Sequence, residues 1–377
     1  MATTGGHYQV EILTPVHIGT GDAYTPLDGV YADGRWHRLD IDRVVGAGAD
    51  ARQLAREMSL PSFDWVTILR RYQIALASAT ASGYPVPCAG DPGNTPVRPF
   101  LRDVSARPYL PGSSLKGPMR TAIFAHLARA RPSELARAVG NARQPRESGR
   151  RRQVSREWLT QPVERFFLGN TPNYDLMRAV QVADSEPFPV DALEITPVWT
   201  YTLRAGRMEE KRDGGEYKVF VEQLRPGGAA KVSLHIDEFL FSPQANRELC
   251  FAGAMEEAVR SLAGVCNARA RSLLERELGF ARQYGPARVV RAYEELLQRL
   301  ADLPPGAFLL NLGWGGGWEC KTLGELLREV LGDQEFARLR EQFRLGRSGQ
   351  PFPKTRRYAY RGGAPTFPLG WVSLTPA

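Results

Sequence analysis

Cysteine is scarce in this 377-residue chain, which has only Cys88, Cys250, Cys266 and Cys320. No two form a C-x-x-C pair and no histidine lies at metal spacing from one. Neither a zinc site nor a disulfide scaffold is therefore expected. Histidine is almost as scarce, with His7, His17, His37, His126 and His235 far apart and no H-E-x-x-H among them. The chain also lacks a G-x-S-x-G elbow and a Gly-rich loop ending in G-K-[ST]. Hydrolase elbows and Walker-type ATP binding are disfavoured. It has no run of about 18 apolar residues. Its opening, MATTGGHYQVEIL, holds no basic segment followed by an apolar one. The expectation is a soluble, cytoplasmic protein with no membrane contact, no metal and no cofactor.

What is abundant is positive charge. Lys plus Arg number 49 against 41 acids, a net charge of +8, and most of the cations are Arg. A basic surface suits an anionic partner such as nucleic acid, although it also serves solubility. Arg adds a planar fork that matches phosphate and stacks on bases. Hydrophobic residues at 43% and charged residues at 24% exclude a disordered chain, a collagen-like fibre and a coiled-coil rod. At about 150 residues per domain, two domains are expected.

Periodicity supplies the elements. Residues 7–13 alternate as a strand, and residues 29–42 read as a hairpin turning at Asp33-Gly34. Residues 62–82 read as one helix, as do residues 114–131, where Leu115, Met119, Ile123 and Leu127 form a stripe. Residues 141–155, rich in Arg, read as a mobile basic loop. Strands are expected at 178–183 and 194–204, then a hairpin of 217–223 with 231–239 around Arg225-Pro226-Gly227-Gly228. Long helices over 247–278 and 287–303, a short strand at 307–312, two helices within 323–345 and a closing strand near 371–374 complete the reading. The fold class is α+β, an antiparallel sheet backed by helices, divided into residues 1–205 and 206–377.

Four stretches carry chemistry. In residues 110–120, LPGSSLKGPMR, Gly112, Ser113 and Ser114 open a helix, with Lys116 and Arg120 one turn apart. Unpaired N–H groups and two cations suit a phosphate, and an ordinary Ser-capped helix has the same residues. In residues 313–321, Gly313, Gly315, Gly316 and Gly317 lie among Trp314, Trp318 and Lys321. A loop of this kind suits a sugar–phosphate backbone with stacked bases, or a tight turn with core tryptophans. After Glu341 there is no acid, and Lys354, Arg356 and Arg357 alternate with aromatics. This is either a nucleic-acid surface or a tail wrapped on the core. Finally, His17 with Asp22 and Asp28 sits in a loop containing Gly19 and Gly21. These residues could do acid–base work on RNA or simply form turns.

Together these stretches resemble the RAMP superfamily of type III CRISPR systems. The resemblance rests on TPVHIGTGD at 14–22, LPGSSLKGPMRTAI at 110–123, VADSE at 182–186, GWGGGWECKT at 313–322 and FPKTRRY at 352–358. The early and late motifs are most similar to the fifth-subunit family of the type III-A Csm complex. That resemblance implies two ferredoxin-like (RRM-like) domains with helical insertions. It implies a non-catalytic subunit that binds the 3′ part of the guide crRNA and aids its maturation. The implied partners are the neighbouring backbone RAMP subunit, the small helical subunit, target RNA and recruited trimming nucleases. Carried over by residue, it places His17, Gly19, Gly21, Gly112, Ser113, Ser114, Lys116, Arg120 and the 313–317 loop near guide RNA. Trp318, Lys321, Arg150, Arg151, Arg152, Lys354, Arg356 and Arg357 are further RNA candidates. Pro118 departs from the small residue usual in the motif and leaves the helix start open. Two alternatives stand beside this reading. One is a repeat-processing endoribonuclease using His17, or Asp28 in a position like that of a catalytic paralogue. The other is the tip subunit of a Cmr-type complex.

Overall fold

The computed structural model describes residues 3–143, 157–212, 217–347 and 349–377. The Arg-rich candidates Arg150, Arg151 and Arg152 lie outside them. In chain order the strands are β1 (Thr3–Ile12), β2 (Gly29–Ala32), β3 (Arg35–Arg38), β4 (Val86–Pro87) and β5 (Val97–Arg98). After a block of helices come β6 (Val180–Val182), β7 (Leu193–Arg204), β8 (Arg207–Glu210), β9 (Lys218–Leu224) and β10 (Ala229–Asp237). The last four are β11 (Phe308–Asn311), β12 (Thr355–Arg361), β13 (Ala364–Pro368) and β14 (Trp371–Pro376). Mixed sheet and helix make this an α+β protein.

The first sheet has the order β11-β14-β1-β10-β6 and is antiparallel throughout. The expected period of two in β1 is realised: Val10 and Ile12 are fully buried while Gln9 is exposed. The helix Gly112–Ala130 lies on this sheet and buries the whole expected stripe, Leu115, Met119, Ile123 and Leu127. Each such side chain contributes about 1.5–3 kcal/mol of burial. The second sheet has the order β13-β12-β7-β9-β5, with β8 folded back on β7 and β5 parallel to β9. The helices Leu262–Tyr284 and Ala287–Ala301 cover part of one of its faces. A small third sheet, β2-β3-β4, stands with four short helices over residues 41–79 around a core of its own.

Four expectations are corrected. Residues 217–223 and 231–239 are strands but not a hairpin: β9 joins the second sheet and β10 the first. The chain changes sheet at Arg225–Gly228 because both edges of β9 are occupied, by β7 and β5. Residues 62–82 break into helices Trp65–Arg71 and Leu76–Ala79 at Gln73, whose φ of 55° ends a helical run. The first of these helices is capped by Asp64. Residues 247–278 divide into three helices, the first ending at a left-handed Cys250. Residues 141–143, read as the start of a loop, still belong to the helix Pro132–Arg143. As for the 205/206 division, it falls on the β7–β8 turn, and both sheets draw strands from both sides of it.

On β9 of the second sheet stands Glu222, with no exposed surface. Its carboxylate accepts from the Phe100 N–H at 2.8 Å, from the Tyr84 hydroxyl and from Arg102 at 3.2 and 3.3 Å. Arg102 also donates to the carbonyls of Gly83 and Ala106 and lies 4.3 Å from the Tyr84 ring centroid. A buried carboxylate left unpaired is costly, so these partners keep β9 and residues 83–106 in fixed register. Removing Glu222 strands the Arg102 charge. Glu222→Ala is expected to lose about 3–5 kcal/mol and Glu222→Gln less. Thermal unfolding followed by circular dichroism measures both, and an unchanged melting temperature for Glu222→Ala would refute the assignment.

Candidate nucleic-acid interface

A cleft of about 620 Å³ opens between the Gly-rich loop and the run into β12. It gathers Gly313, Gly315, Gly316, Gly317, Trp318, Lys321, Lys354, Arg356 and Arg357 from two distant motifs. The loop leaves β11 and is pinned to the opening loop, where the Trp314 N–H donates to the His17 carbonyl at 2.8 Å. Gly313 has φ of 74°, and a Cβ there would lie 2.4 Å from that carbonyl, so only glycine permits the approach. Gly315 packs on Leu369 and Gly316 on Asn311, while Gly317 is exposed at the cleft. The glycines thus serve contact within the chain first. Trp318 stacks edge-on with Phe352 at 4.7 Å and forms part of the cleft wall.

The cations divide into two kinds. Arg356 turns inward: its Nε and Nη2 donate to the two Glu277 oxygens at 2.6 and 2.9 Å, and it stacks on Phe280. Burial opposes its charge, but the Glu277 carboxylate outweighs burial and raises its pKa. It is a structural cation, contrary to the expectation of RNA contact. Arg357 lies 4.8 Å from the Trp314 centroid, and Arg98 lies 5.2 Å from the same ring. Burial lowers the Arg357 pKa, and Arg98 lowers it further. Lys321 is exposed, and Lys354 donates to the Gln350 side chain at 2.6 Å. Arg98 was missed by sequence reasoning because a single Arg between prolines and aromatics carries no motif.

The LPGSSLKGPMR stretch lies apart from this cleft. Gly112 donates its N–H to Asp184 Oδ1 at 2.7 Å, and Ser185 Oγ accepts from the Leu110 N–H at 2.9 Å. The VADSE strand end therefore caps the helix start, a role the sequence pattern did not reveal. A Cβ on Gly112 would meet the Val182 carbonyl at 2.3 Å. Gly112 is thus committed to packing, while Ser113 is exposed and Ser114 half-buried. Pro118 sits inside the continuous helix, so it does not displace the start. Lys116 and Arg120 line a polar cleft of about 430 Å³ with Arg165, Asn170, Asp175 and Arg178. Burial lowers the Lys116 pKa, and Asp175 partly offsets this. Arg120 is held by both Asp175 oxygens at 2.7 and 2.9 Å, with Glu164 at 3.5 Å. Its fork is therefore engaged within the chain rather than open for a phosphate. An apolar pocket of about 290 Å³ shares the wall residue Glu164 with this cleft and Trp318 and Lys321 with the other.

In the opening loop His17, Asp22 and Asp28 each make separate contacts. His17 is 3% exposed, and its Nδ1–H donates to the Glu222 carbonyl at 2.6 Å. Since a carbonyl only accepts, this fixes the neutral tautomer. Its ring lies edge-on to Trp314 and Phe100. Burial lowers its pKa to about 4; the hydrogen bond to the Glu222 carbonyl pulls the other way, and Arg98 adds to the lowering. The candidate general base is a core residue joining the opening loop to β9. Gly19 backs onto His17 and bridges Phe100, and Gly21 is an exposed turn with φ of 97°. Asp28 Oδ2 accepts from the Thr25 N–H at 2.7 Å and its hydroxyl at 2.8 Å, and Asp22 from Thr20, both within local turns. Among the described residues no three His, Cys, Asp or Glu side chains converge to hold a metal, and no helix is long and apolar enough to cross a membrane.

A model of the RAMP superfamily matches residues 9–321. Among curated proteins, "CRISPR system Cms protein Csm5" of Methanocaldococcus jannaschii is 22% identical over 97% of this chain and 87% of its own. The protein of the same name from Streptococcus thermophilus is 24% identical over 52% of this chain and 55% of its own. Among solved structures, a chain of the Csm–crRNA–target RNA ternary complex of a type III-A CRISPR-Cas system is similar, at TM-score 0.72 and 25% identity. It covers 98% of this chain and all of that one. The crystal structure of T. onnurineus Csm5 is similar at TM-score 0.67 and 22% identity, over 97% of this chain and 99% of that one.

The His17 arrangement has a pH signature. Folded His17 resists protonation down to about pH 4, whereas the unfolded chain takes up the proton near 6.5. The unfolded state therefore binds more protons between these values, and stability falls as pH drops through that window. The full loss is roughly 3 kcal/mol, and the contribution is complete above 6.5. Melting temperatures from pH 7.5 to 4 should decline more steeply for the wild type than for His17→Gln. Parallel curves would refute a buried neutral His17.

Proposed function

The chain belongs to the RAMP superfamily, and we propose that it is an RNA-binding subunit of a type III-A CRISPR (Csm) interference complex, seated on the 3′ part of the guide. The observation that carries this is the likeness, along nearly the whole length, to a chain of a Csm–crRNA–target RNA complex. The cleft supports it chemically. Lys321, Lys354 and Arg357 meet Trp314 and Trp318 there, a set that suits phosphates and bases without reading sequence. Aid to guide maturation and contacts with the adjoining backbone subunit, the small helical subunit, target RNA and trimming nucleases belong to the same proposal.

We also read the first sheet as one ferredoxin-like unit. Its strands β1, β6, β10 and β14, with helices Gly112–Ala130 and Leu262–Tyr284 between them, follow a β-α-β-β-α-β order. In this reading the unit is closed by the last strand of the chain, and the second sheet is inserted within it. The subunit is proposed to be non-catalytic. In support, His17 is a neutral core residue, and Asp28 is bound to its own turn. A repeat-processing nuclease would need a base able to reach the scissile ribose.

Two measurements test the proposal. RNA recovered with the tagged protein from its native host should consist of repeat–spacer guides, together with the other subunits. Deleting the gene should give guides with ragged or lengthened 3′ ends. Lys321→Glu with Lys354→Glu should lower guide retention at least tenfold while circular dichroism stays native. Recovery of no RNA by the wild type would sink guide binding and leave a scaffold.

A further inference from the structure

The cleft of about 620 Å³ keeps its free charge and its apolar surface apart. Lys321 is exposed and Lys354 half-buried, whereas Tyr358, Leu369 and Trp371 line the same cleft at no more than 2% exposure. The two lysines therefore stand at its rim and the rings at its depth. Trp318, from the Gly-rich side, meets Phe352, from the β12 side, with ring centroids 4.7 Å apart. Arg356 and Glu277 also stand in the wall, but they satisfy each other. A phosphate gains no counter-charge from such an interior and would pay heavily in lost hydration. The body that suits the depth of the cleft is flat and apolar on its faces.

The wall also holds a hydroxyl with nothing to bond. Tyr358 Oη has no hydrogen-bond partner among the described residues and no appreciable contact with water. Neighbouring hydroxyls are served: those of Tyr201 and Tyr360 bond to each other, and that of Tyr293 lies 3.5 Å from Glu277 Oε2. A buried donor left unpaired is unfavourable, and phenylalanine would fill the same space without that penalty. A tyrosine here therefore suits an acceptor brought from outside. That acceptor must sit on the edge of the flat body, and anionic groups must trail from it to the rim. A nucleobase with its flanking phosphates has this form, and the cleft falls in the size range of ligand pockets. Every base carries an acceptor on its edge, so the contact tolerates any sequence.

We propose that the cleft takes one base of a bound RNA strand, seated against Trp318 and Phe352 with its edge accepting from Tyr358 Oη, while Lys321 and Lys354 hold the adjoining phosphates. The inference rests on the RNA-binding reading above and adds a base pocket to it. The test is fluorescence anisotropy with the full-length protein over a range of salt. It uses two labelled octamers, one of uridine and one of the same ribose–phosphate chain without bases. The wild type should bind the uridine octamer about tenfold more tightly than the abasic one. Tyr358→Phe should weaken the uridine octamer about fivefold, leave the abasic one unchanged and melt no lower than the wild type. Lys321→Gln with Lys354→Gln should weaken both octamers by the same factor. Equal wild-type affinity for the two octamers would overturn the pocket and leave phosphate binding intact. A Tyr358→Phe variant that melts lower and binds uridine unchanged would give the hydroxyl a role within the chain and overturn its assignment. Uridine 5′-monophosphate competing as tightly as the octamer would assign the pocket to a free nucleotide and overturn the strand. A wild type with no salt-sensitive affinity for either octamer would overturn the underlying reading as well.

Discussion

The fully buried carboxylate of Glu222 is the constraint on which the functional surface depends. Its side chain satisfies Tyr84, Phe100 and Arg102, while its backbone carbonyl holds His17. The His17 carbonyl in turn holds the Trp314 N–H. One residue of β9 thus ties together the opening loop, the connection that carries Arg98, and the Gly-rich loop. Such a cluster is stabilising only when every member is satisfied, which makes its parts interdependent. The geometry at Trp314 is a consequence of that interdependence.

The excess of positive charge is not spread as a simple basic coat. Several of the arginines that looked most available are held internally: Arg356 by Glu277, and Arg120 by Asp175 and Glu164. On the helix Leu262–Tyr284, Arg276 meets Glu319 and Glu325 while Arg269 donates to the carbonyls of Glu319 and Thr322. These contacts hold the segment that follows the Gly-rich loop against a long helix. They position the loop and do not offer charge to a ligand. Lys321, Lys354 and Arg357 also line the cleft, and Arg98 stands beside Trp314. Their placement on a rigid frame suits sequence-independent contact with a backbone, where a uniform charge spacing is all that is recognised.

Much of this was legible in the sequence where the signal is local. The alternation in β1, the Asp33-Gly34 hairpin and the stripe from Leu115 to Leu127 depend on neighbours a few residues apart, and all three appear as expected. Local signals also misled. Two strand patterns around Pro226-Gly227 read as a hairpin, yet β9 and β10 go to different sheets. Alternation says that a strand exists and not which edge it will meet. The run over 62–82 kept a helical period across Gln73, whose left-handed backbone no period betrays. The motif glycines were recognised as necessary, but the nearest reason is internal. Gly112 clears the Val182 carbonyl and Gly313 clears the His17 carbonyl.

The sequence by itself determined the fold class, most of the elements and the family, because hydrophobic period, turn chemistry and ordered motifs are written in short windows. It also determined that the chain is basic and rich in arginine. Only the tertiary structure decided which of those charges are held within the chain. Asp184 caps Gly112 from 72 residues away, Glu222 meets Arg102 from 120 away, and Arg98 and Arg357 share Trp314. A side chain's pattern along the chain fixes its character. Whether that character is satisfied inside or left for a partner depends on what packs against it, and distant segments supply that contact.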